Sequence, residues 1–375
     1  MNPRMKIHQF YYSASAADAV TNHTLLIQES LREIGISGDI FCQEAKGLAP
    51  ERIRPFTPTS LWNCDLILIH HSGGNPALKE LLKIEVPKAL VYHNITPAKY
   101  FAHDAFLANT CHAGRKQLRL LRDAVVASFA VSGFNRSELE AEGFRGTELF
   151  PLLDLSDVSL PPLLPKKNEK ILRLLFVGKL TPHKNQALLL KTLFYLKKIS
   201  KKEVKLTLIG RADPVYGKYL PLLAQVLDLR EEVDFSGAIS AERLEECYQS
   251  ASAFICPSLH EGFCVPLVEA MAHGLPIFAL SVPGVCETLS GAGIELTTQK
   301  PHRLAEIILA ALESPRVVET VLESQRERLQ SLKERQIRQR IQTLCRDLLH
   351  SLRKAPFLLP NTRPLPPPSC DSPTR

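Results

Sequence analysis

The sequence of 375 residues lacks several features that would place it in a class of protein at once. It has no apolar run of the roughly 18–20 residues that a membrane-spanning helix needs. Residues 1–20 contain no long apolar segment of the signal-peptide type, which predicts a cytoplasmic protein. The nine cysteines include no C-x-x-C pair, which argues against zinc and thiol-redox motifs. No Asp-x-Asp sequence occurs, which disfavours a metal-chelated nucleotide.

The charge balance is positive, with a formal net charge of +7. Such a surplus suits an anionic partner, for example nucleic acid, acidic lipid head groups or a phosphorylated substrate. A solvated surface with an excess of lysine explains it equally well. The basic residues are not interleaved with aromatic residues in a recognisable nucleic-acid module, so no nucleic-acid partner is predicted.

Strand and helix patterns alternate along most of the chain, which predicts parallel sheets covered by helices on both faces. In the first half, strands are predicted at 5–11, 65–71, 88–94 and 125–132, and a helix at 21–34. A proline-rich polar segment then predicts a linker at 156–168. In the second half, strands are predicted at 171–178, 203–210, 232–237, 253–258 and 275–280. The predicted fold class is α/β, with doubly wound domains at 1–155 and 169–315.

The C-terminal part of the chain differs in composition from these domains. Residues 316–354 have a helical pattern rich in arginine with interspersed glutamates, which predicts an exposed helix laced with salt bridges. A basic face that docks on an anionic membrane is the alternative. The tail at 355–375 is rich in proline, which predicts a disordered or polyproline II segment.

Polar residues follow the predicted strands, at the edge where open α/β sheets bind their ligands. Gly178, Lys179 and Lys184 follow the strand at 171–178. Two ammonium groups beside a glycine turn suit the oxygens of a diphosphate. A solvated loop that happens to carry lysines is the alternative.

The segment "LHEGFCVPLVEAMAHG" holds Glu261 and Glu269 with seven residues between them. Gly262 permits a sharp turn and a close backbone approach to a ligand. Pro266 suits the first position of a helix, whose N-terminal N–H groups attract a phosphate. Glu261 is placed to accept hydrogen bonds from sugar hydroxyls. Glu269 is expected in the first helical turn, where a carboxylate is stabilising in any case.

Two segments of the first half carry further candidates. His93 lies at the end of the strand at 88–94, where it can contact a ligand, although a lone histidine is more often structural. Gly73 and Gly74 permit a backbone loop beside a ligand, or form a simple turn.

The segments "YHNITP", "FVGKLTPHKNQ", "DFSGAIS" and "SLHEGFCVPLVEAMAHGLP", in this order, resemble those of the retaining glycosyltransferases of family 4. The resemblance covers residues 5–345, most of the chain. It implies the GT-B fold, in which two Rossmann-like domains face each other across a cleft. It also implies a nucleoside-diphosphate-sugar donor bound mainly by the second domain, with no cofactor and no metal.

The resemblance assigns roles to particular residues. Glu261, His93 and Lys184 are the catalytic residues that it implies. The donor-binding residues that it implies are Gly178, Lys179, Lys184, Gly262, Phe263, Cys264 and Glu269. On this assignment the lysines hold the diphosphate, Glu261 and His93 contact the donor sugar, and Glu269 binds the ribose hydroxyls. Candidates on the acceptor side are Ala17, Asp18, Gly73 and Gly74.

Three positions depart from the family pattern. Position 179 is lysine where arginine is usual, so a forked phosphate contact becomes a point charge. Position 264 is cysteine where a third glycine is common. Ala16 and Ala17 stand where many members carry glycines in the loop after the first strand.

The expected function is transfer of a sugar from a nucleoside-diphosphate sugar to a glycan or lipid-linked acceptor, in the synthesis of cell-surface polysaccharide, lipopolysaccharide or glycolipid. The protein is then expected in the cytoplasm or peripherally on the cytoplasmic face of the membrane. A nucleotide-sugar epimerase on the same scaffold and a non-catalytic binding subunit remain alternatives.

Overall fold

The computed structural model describes residues 5–15, 18–46, 52–150, 152–161 and 170–354. The chain forms two compact units that are interleaved along the sequence. The first unit comprises Met1–Ile95, Thr110–Leu152 and Arg338–Arg375, and the second comprises Thr96–Asn109 and Leu153–Ile337. The predicted proline-rich tail and residues 162–168 of the predicted linker lie outside the described residues.

The first unit is built on a parallel sheet of seven strands in the order β3-β2-β1-β4-β5-β6-β7. The strands are β1 (Ile7–Ser15), β2 (Ile40–Lys46), β3 (Ile53–Pro55), β4 (Leu66–His71), β5 (Lys88–Tyr92), β6 (Ala127–Ala130) and β7 (Glu148–Leu149). The helices are α1 (Ala19–Glu33), α2 (Leu78–Leu82), α3 (Ala105–Ala124), α4 (Gly133–Ala141) and, from the C-terminal region, α12 (Ile337–Lys354). The division between the units falls within α3.

The second unit is built on a parallel sheet of six strands in the order β10-β9-β8-β11-β12-β13. The strands are β8 (Ile171–Val177), β9 (Glu203–Ile209), β10 (Val233–Gly237), β11 (Ala253–Cys256), β12 (Ile277–Leu280) and β13 (Ile294–Leu296). The helices are α5 (Gln186–Ile199), α6 (Tyr216–Val226), α7 (Ala241–Ser250), α8 (Val265–Ala272), α9 (Pro283–Leu289), α10 (Pro301–Leu312) and α11 (Pro315–Lys333). Neighbouring side chains of β8 enter opposite cores, Leu174 in one and Leu175 in the other, so both faces of this sheet are buried.

Several predicted elements are confirmed and others are corrected. The predicted strands of the second half match β8 to β12 within a few residues. In the first half, β1 continues to Ser15, beyond the predicted end at residue 11, and β2, β3 and β7 were not predicted. Ser132 caps α4, since its hydroxyl accepts a hydrogen bond from the backbone N–H of Asn135. Gly143 follows the end of α4 with φ +88°.

The prediction of one exposed C-terminal helix at 316–354 is wrong. The segment forms two helices, α11 and α12, and each buries a face. Polar contacts tie α12 to the first unit: Arg338 pairs with Glu33 at 2.7 Å, and Arg340 with Glu148 at 2.8 Å. The predicted salt bridges are therefore present, but they join α12 to the folded unit. Every helix among the described residues is too short or too polar to cross a bilayer.

In each unit the strand order reverses beside the first strand of the sheet. The reversal lies between β1 and β4 in the first unit and between β8 and β11 in the second. Open α/β sheets bind ligands outside the carboxyl ends of their strands at such a switch point. In the second unit, the segments that follow β8 and β11 are those that carry Lys184 and Glu261. The topology therefore brings together lysine and glutamate segments that are far apart in the sequence.

The loop after β4 packs tightly on α3. The N–H of Gly74 donates a hydrogen bond to the carbonyl oxygen of Thr110 at 2.8 Å. A Cβ atom at Gly74 would lie 2.8 Å from that same oxygen, whereas a Cβ at Gly73 would meet Thr110 at 3.6 Å, an ordinary contact. The absence of a side chain at Gly74 is therefore required by packing, whatever else the loop does.

The neighbouring glycines should respond differently to alanine. We expect Gly74→Ala to lower the free energy of unfolding by about 1–3 kcal/mol, because the added methyl overpacks a backbone contact. Gly73→Ala serves as the matched control and should cost less than about 0.5 kcal/mol. Chemical denaturation of the full chain measures both values. Equal effects at the two positions would contradict the packing argument.

Candidate active site

Lys184 lies at the end of a short 3₁₀ turn, Pro182–Lys184, that follows β8. Asn185 then adopts a left-handed backbone conformation with φ +59° before α5 begins, a conformation that asparagine tolerates better than most residues. The N–H of Leu259 donates to the carbonyl oxygen of His183 at 2.7 Å. This hydrogen bond joins the lysine turn to the loop that carries Glu261.

The ammonium of Lys184 and the carboxylate of Glu261 form an ion pair, with Nζ and Oε1 2.5 Å apart. The Lys184 side chain is 19% exposed and that of Glu261 is 8% exposed. Burial acts to lower the pKa of Lys184, but the Glu261 carboxylate and the thiols of Cys264 and Cys256 outweigh burial and raise it. Lys184 is therefore a fixed positive charge at neutral pH.

The backbone of the Glu261 loop is held by α9. The carbonyl oxygen of Glu261 would lie 2.1 Å from a Cβ atom at Gly284, so a side chain at Gly284 would displace the loop. The Thr288 hydroxyl donates a hydrogen bond to the carbonyl oxygen of Phe263. The left-handed residue in this turn is Cys264, with φ +66°, whereas the sequence had assigned the sharp turn to Gly262. A non-glycine residue in this conformation stores roughly 1–3 kcal/mol of strain.

Glu269 is held by a neighbouring phenol. The helix α8 begins at Val265, so Pro266 is its second residue and Glu269 its fifth, and the prediction of Glu269 in the first turn is wrong. The Tyr248 hydroxyl donates to Oε2 of Glu269 at 2.7 Å. Burial raises the pKa of Glu269, and the hydrogen bond from Tyr248 opposes this rise. Tyr248 lies on α7, where no motif distinguished it in the sequence.

Gly178 and Lys179 extend the carboxyl end of β8. The Gln186 side-chain amide donates to the carbonyl oxygen of Lys179 at 3.0 Å, which fixes the backbone there. The Lys179 residue itself is exposed. Gly210, at the end of β9, approaches so closely that its Cβ would lie 2.1 Å from the carbonyl oxygen of Gly178. The structure thus places an exposed cationic residue on a fixed turn beside the Lys184 segment.

A segment predicted within the first domain also reaches this loop. Thr96–Asn109 belongs to the second unit. Its Tyr100 hydroxyl donates to the carbonyl oxygen of Leu259 at 3.4 Å, and His103 pairs with the buried Asp213 at 3.1 Å. Domains were predicted as continuous stretches of sequence. Thr96–Asn109 belongs to the second unit although the residues on both sides of it belong to the first, so its placement could not be predicted in this way.

In the first unit, His93 follows β5 and ends a chain of polar contacts. The Gln9 amide nitrogen donates to the carbonyl of Thr24, so its oxygen faces His70 and accepts from Nε2 of that ring at 2.9 Å. Nδ1 of His70 then accepts from Nε2 of His93 at 2.8 Å. This leaves Nδ1 of His93 as the unprotonated nitrogen. Burial lowers the pKa of both histidines well below the ordinary value, so both are neutral.

Three acceptor-side candidates, Asp18, Gly73 and Gly74, follow β1 and β4 at the switch point of the first unit. Asp18 caps α1, since its side chain accepts from the N–H of Thr21 at 3.3 Å. Gly73 and Gly74 form the loop packed on α3. Ala17 lies outside the described residues. The structure therefore gives Asp18 and Gly74 structural roles, and their acceptor role stays a prediction.

Among the described residues, side chains of metal-binding type converge at two places. One is the group His23, His70 and His93, and the other is Cys256, Glu261 and Cys264, with ligand atoms within 4.8 Å of one another in each. Imidazole and thiolate groups in such sets are typical ligands of zinc. The expectation of no metal at the site stays a prediction.

The sequence similarity to a known protein family falls in the second unit. Residues 164–333 match the family described as glycosyl transferases group 1. An uncharacterized glycosyltransferase of Methanocaldococcus jannaschii is 32% identical over 134 residues, which is 35% of this chain and 33% of that protein. The O-antigen chain mannosyltransferase RfbU of Salmonella typhimurium is 32% identical over 130 residues, 34% of this chain and 35% of that protein. The chain thus spans about a third of the length of these curated relatives.

Solved structures match nearly the whole chain. The crystal structure of Anabaena HepE in complex with UDP and glucose has a TM-score of 0.70 at 18% identity and covers 93% of this chain and 100% of that one. The structure of WaaG, a glycosyltransferase involved in lipopolysaccharide biosynthesis, has a TM-score of 0.68 at 14% identity, with 88% and 98% covered. At this identity the likeness shows the fold. Residues 164–333 are therefore similar to the glycosyl transferases group 1 family, within a chain that has the GT-B fold.

Proposed function

We propose that the protein is a retaining, metal-independent glycosyltransferase that moves a sugar from a nucleoside-diphosphate sugar to a glycan or lipid-linked acceptor. The observation that carries this proposal is the Lys184–Glu261 ion pair at the switch point of a group 1 glycosyl transferase domain. The pair sets a permanent cation and a carboxylate side by side where an α/β sheet binds its ligand.

The residues of the second unit suit the successive parts of a nucleotide sugar. The ammonium groups of Lys184 and Lys179 would hold the diphosphate, and the N–H groups at the start of α8 would add to this positive field. Glu261 would accept hydrogen bonds from the hydroxyls of the donor sugar. Glu269, oriented by Tyr248, would accept hydrogen bonds from the ribose hydroxyls. His93 of the first unit, neutral and oriented by His70, would contact the donor sugar through Nδ1.

The proposed reaction breaks the bond between the anomeric carbon of the sugar and the leaving diphosphate oxygen. Lys184 lowers the barrier because its charge is fixed before the negative charge develops on that oxygen. A donor phosphate oxygen helps to deprotonate the acceptor hydroxyl, which attacks from the same face, so the anomeric configuration is retained. Two lysines and the helix dipole then carry the charge balance that a metal ion would otherwise supply.

The setting of the reaction is proposed from the relatives. RfbU is an O-antigen chain mannosyltransferase, and another relative is a GDP-mannose:cellobiosyl-diphosphopolyprenol alpha-mannosyltransferase. These names support an acceptor that is a surface glycan or a lipid-linked sugar, and they make GDP-mannose one candidate donor to test. Contact of the basic C-terminal helices with an anionic membrane remains part of the proposal.

Single and double substitutions in the Lys184–Glu261 pair can distinguish its effect on protein stability from its effect on turnover. We expect Lys184→Met to destabilise the protein by about 3–5 kcal/mol, because it leaves the buried Glu261 carboxylate without its partner. The double variant Lys184→Met/Glu261→Gln should recover most of that loss, since neither charge remains. Turnover of a nucleotide sugar should nevertheless fall by roughly a hundredfold or more in both variants and in Glu261→Gln. Chemical denaturation and nucleotide release measure the two effects.

The double variant is the control for misfolding. If it is as stable as the parent and retains full turnover, the pair is structural and the site assignment fails. If acceptor is absent and the donor sugar is epimerised, the epimerase alternative replaces the transferase.

Substitution of Glu269 should weaken nucleotide binding without lowering stability, unlike substitution of Lys184. Its raised pKa means that the charged form is disfavoured in the folded state, so its contribution to stability falls as the pH rises through that pKa. Glu269→Gln removes the buried charge and keeps an oxygen for Tyr248. We expect equal or greater stability at neutral pH, together with roughly tenfold weaker nucleotide affinity. Calorimetric titration and thermal unfolding test this, and an unchanged affinity would remove Glu269 from the ribose site.

The donor can be identified by thermal shift. GDP-mannose, UDP-glucose and ADP-glucose should be compared with their free nucleotides, because a bound ligand raises the melting temperature by mass action. The expected result is a shift for sugars of one base only. A chain that responds to none of the nucleotides would instead support the non-catalytic subunit.

A further inference from the structure

Cys256 and Cys264 lie on either side of Glu261 and face each other. Cys256 is the last residue of β11, and Cys264 directly precedes α8. Their Sγ atoms are 3.8 Å apart. A disulfide requires about 2.05 Å, so the two sulfur atoms must approach each other before they can bond. All eight cysteines that the structure describes are free thiols.

The two thiols are chemically unequal. The two thiols share a hydrogen bond in which either can be the donor, and this contact lowers the pKa of Cys256 and raises that of Cys264. The ammonium of Lys184 also interacts favourably with both sulfurs in their thiolate form. A nearby cation and a hydrogen-bond donor are the features that make a thiol reactive. By contrast, Cys345 is buried and burial alone raises its pKa to about 12.

The backbone between the thiols is short and strained. Seven residues separate them, and among these are Glu261 and the turn proposed to hold phosphate. Cys264 carries the left-handed conformation in that turn. Closing an S–S bond would draw Cys264 toward the end of β11 and shift the backbone of Gly262 and Phe263. The ligand loop would therefore change shape as a direct result of oxidation.

We propose that Cys256 and Cys264 form a reversible disulfide that weakens nucleotide-sugar binding at the Lys184–Glu261 site. The regulatory part of this inference rests on the proposed function. The two positions matter as a pair, because either thiol alone gives no cross-link. The function of the pair is to make donor binding depend on the thiol state of the loop.

The oxidant is a peroxide. Cys256 is buried and Cys264 half-buried, so a small uncharged oxidant such as hydrogen peroxide is required. The Cys256 thiolate attacks one peroxide oxygen, the O–O bond breaks, and a sulfenic acid forms with release of hydroxide. The Cys264 sulfur then attacks the sulfenic sulfur, the S–S bond forms, and the hydroxyl leaves with the Cys264 proton as water. In total, two thiols and one hydrogen peroxide give one disulfide and two waters, and a dithiol reverses the reaction.

Mass spectrometry and nucleotide titration test the proposal on the full chain. After mild peroxide treatment, we expect the mass to fall by two hydrogens and non-reducing peptide maps to link the segments that contain the two cysteines. Affinity for GDP or UDP should fall roughly tenfold or more and return after dithiothreitol, since a small displacement of a ligand loop has an effect of this size. Cys256→Ala should neither cross-link nor lose affinity on oxidation.

Cys286 supplies the control for general oxidation. It is half-buried and its thiol contacts Ser281 and Glu295 instead of another thiol, so Cys286→Ala should behave as the parent does. Oxygen addition without a cross-link would overturn the proposal, as would a cross-link that leaves affinity unchanged or a Cys256→Ala variant that stays sensitive. Mass spectrometry detects the disulfide without any nucleotide, so the disulfide and nucleotide binding are tested independently. If the reduced protein binds no nucleotide, the proposed function and the regulatory role are both refuted, and the mass measurement alone decides whether the disulfide forms.

Discussion

The buried ion pair between Lys184 and Glu261 is the constraint on which the arrangement of the second unit depends. Two charges removed from water are tolerated only when their geometry is fixed, because a lost contact leaves either one uncompensated. The short turn after β8, the hydrogen bond from Leu259 to His183, and the missing side chain at Gly284 all fix that geometry. The same features keep the lysine charged and the carboxylate in place before any substrate arrives.

The second unit could be predicted well from sequence because its signals are local. The strand at 171–178 is largely apolar, and Lys184 and Glu261 lie in the loops that follow strands of that kind. The strand order could not be obtained in this way, although it explains why those two segments meet. The edge strands β3 and β7 have three and two residues, too few for any periodicity to show. β1 was predicted to end at residue 11 because Ser13, Ala14 and Ser15, which complete the strand, do not continue its apolar pattern.

The residues that orient the candidate site were largely invisible in the sequence. Tyr248 reaches Glu269 across 21 positions of the chain, and Gln9 reaches His70 across 61. Such contacts depend on how elements pack, and no spacing rule encodes them. The thiol pair is similar: no C-x-x-C motif marks it, because its cysteines lie at a strand end and a helix start with seven residues between them. Short motifs identify the candidate site residues, whereas the tertiary structure determines which other side chains orient them.

The interleaved order of the two units bears on biosynthesis. The first unit includes α12, whose Arg338 and Gln342 contact Glu33 and Ser30 of α1 more than 300 residues earlier in the chain. All seven strands of its sheet lie before residue 150. The helix α12, which also belongs to the first unit, emerges from the ribosome only after the second unit has been translated. The surface of α1 that α12 contacts therefore stays uncovered until α12 has been synthesised. The first unit therefore reaches its complete fold only after α12 has been synthesised and has docked on α1.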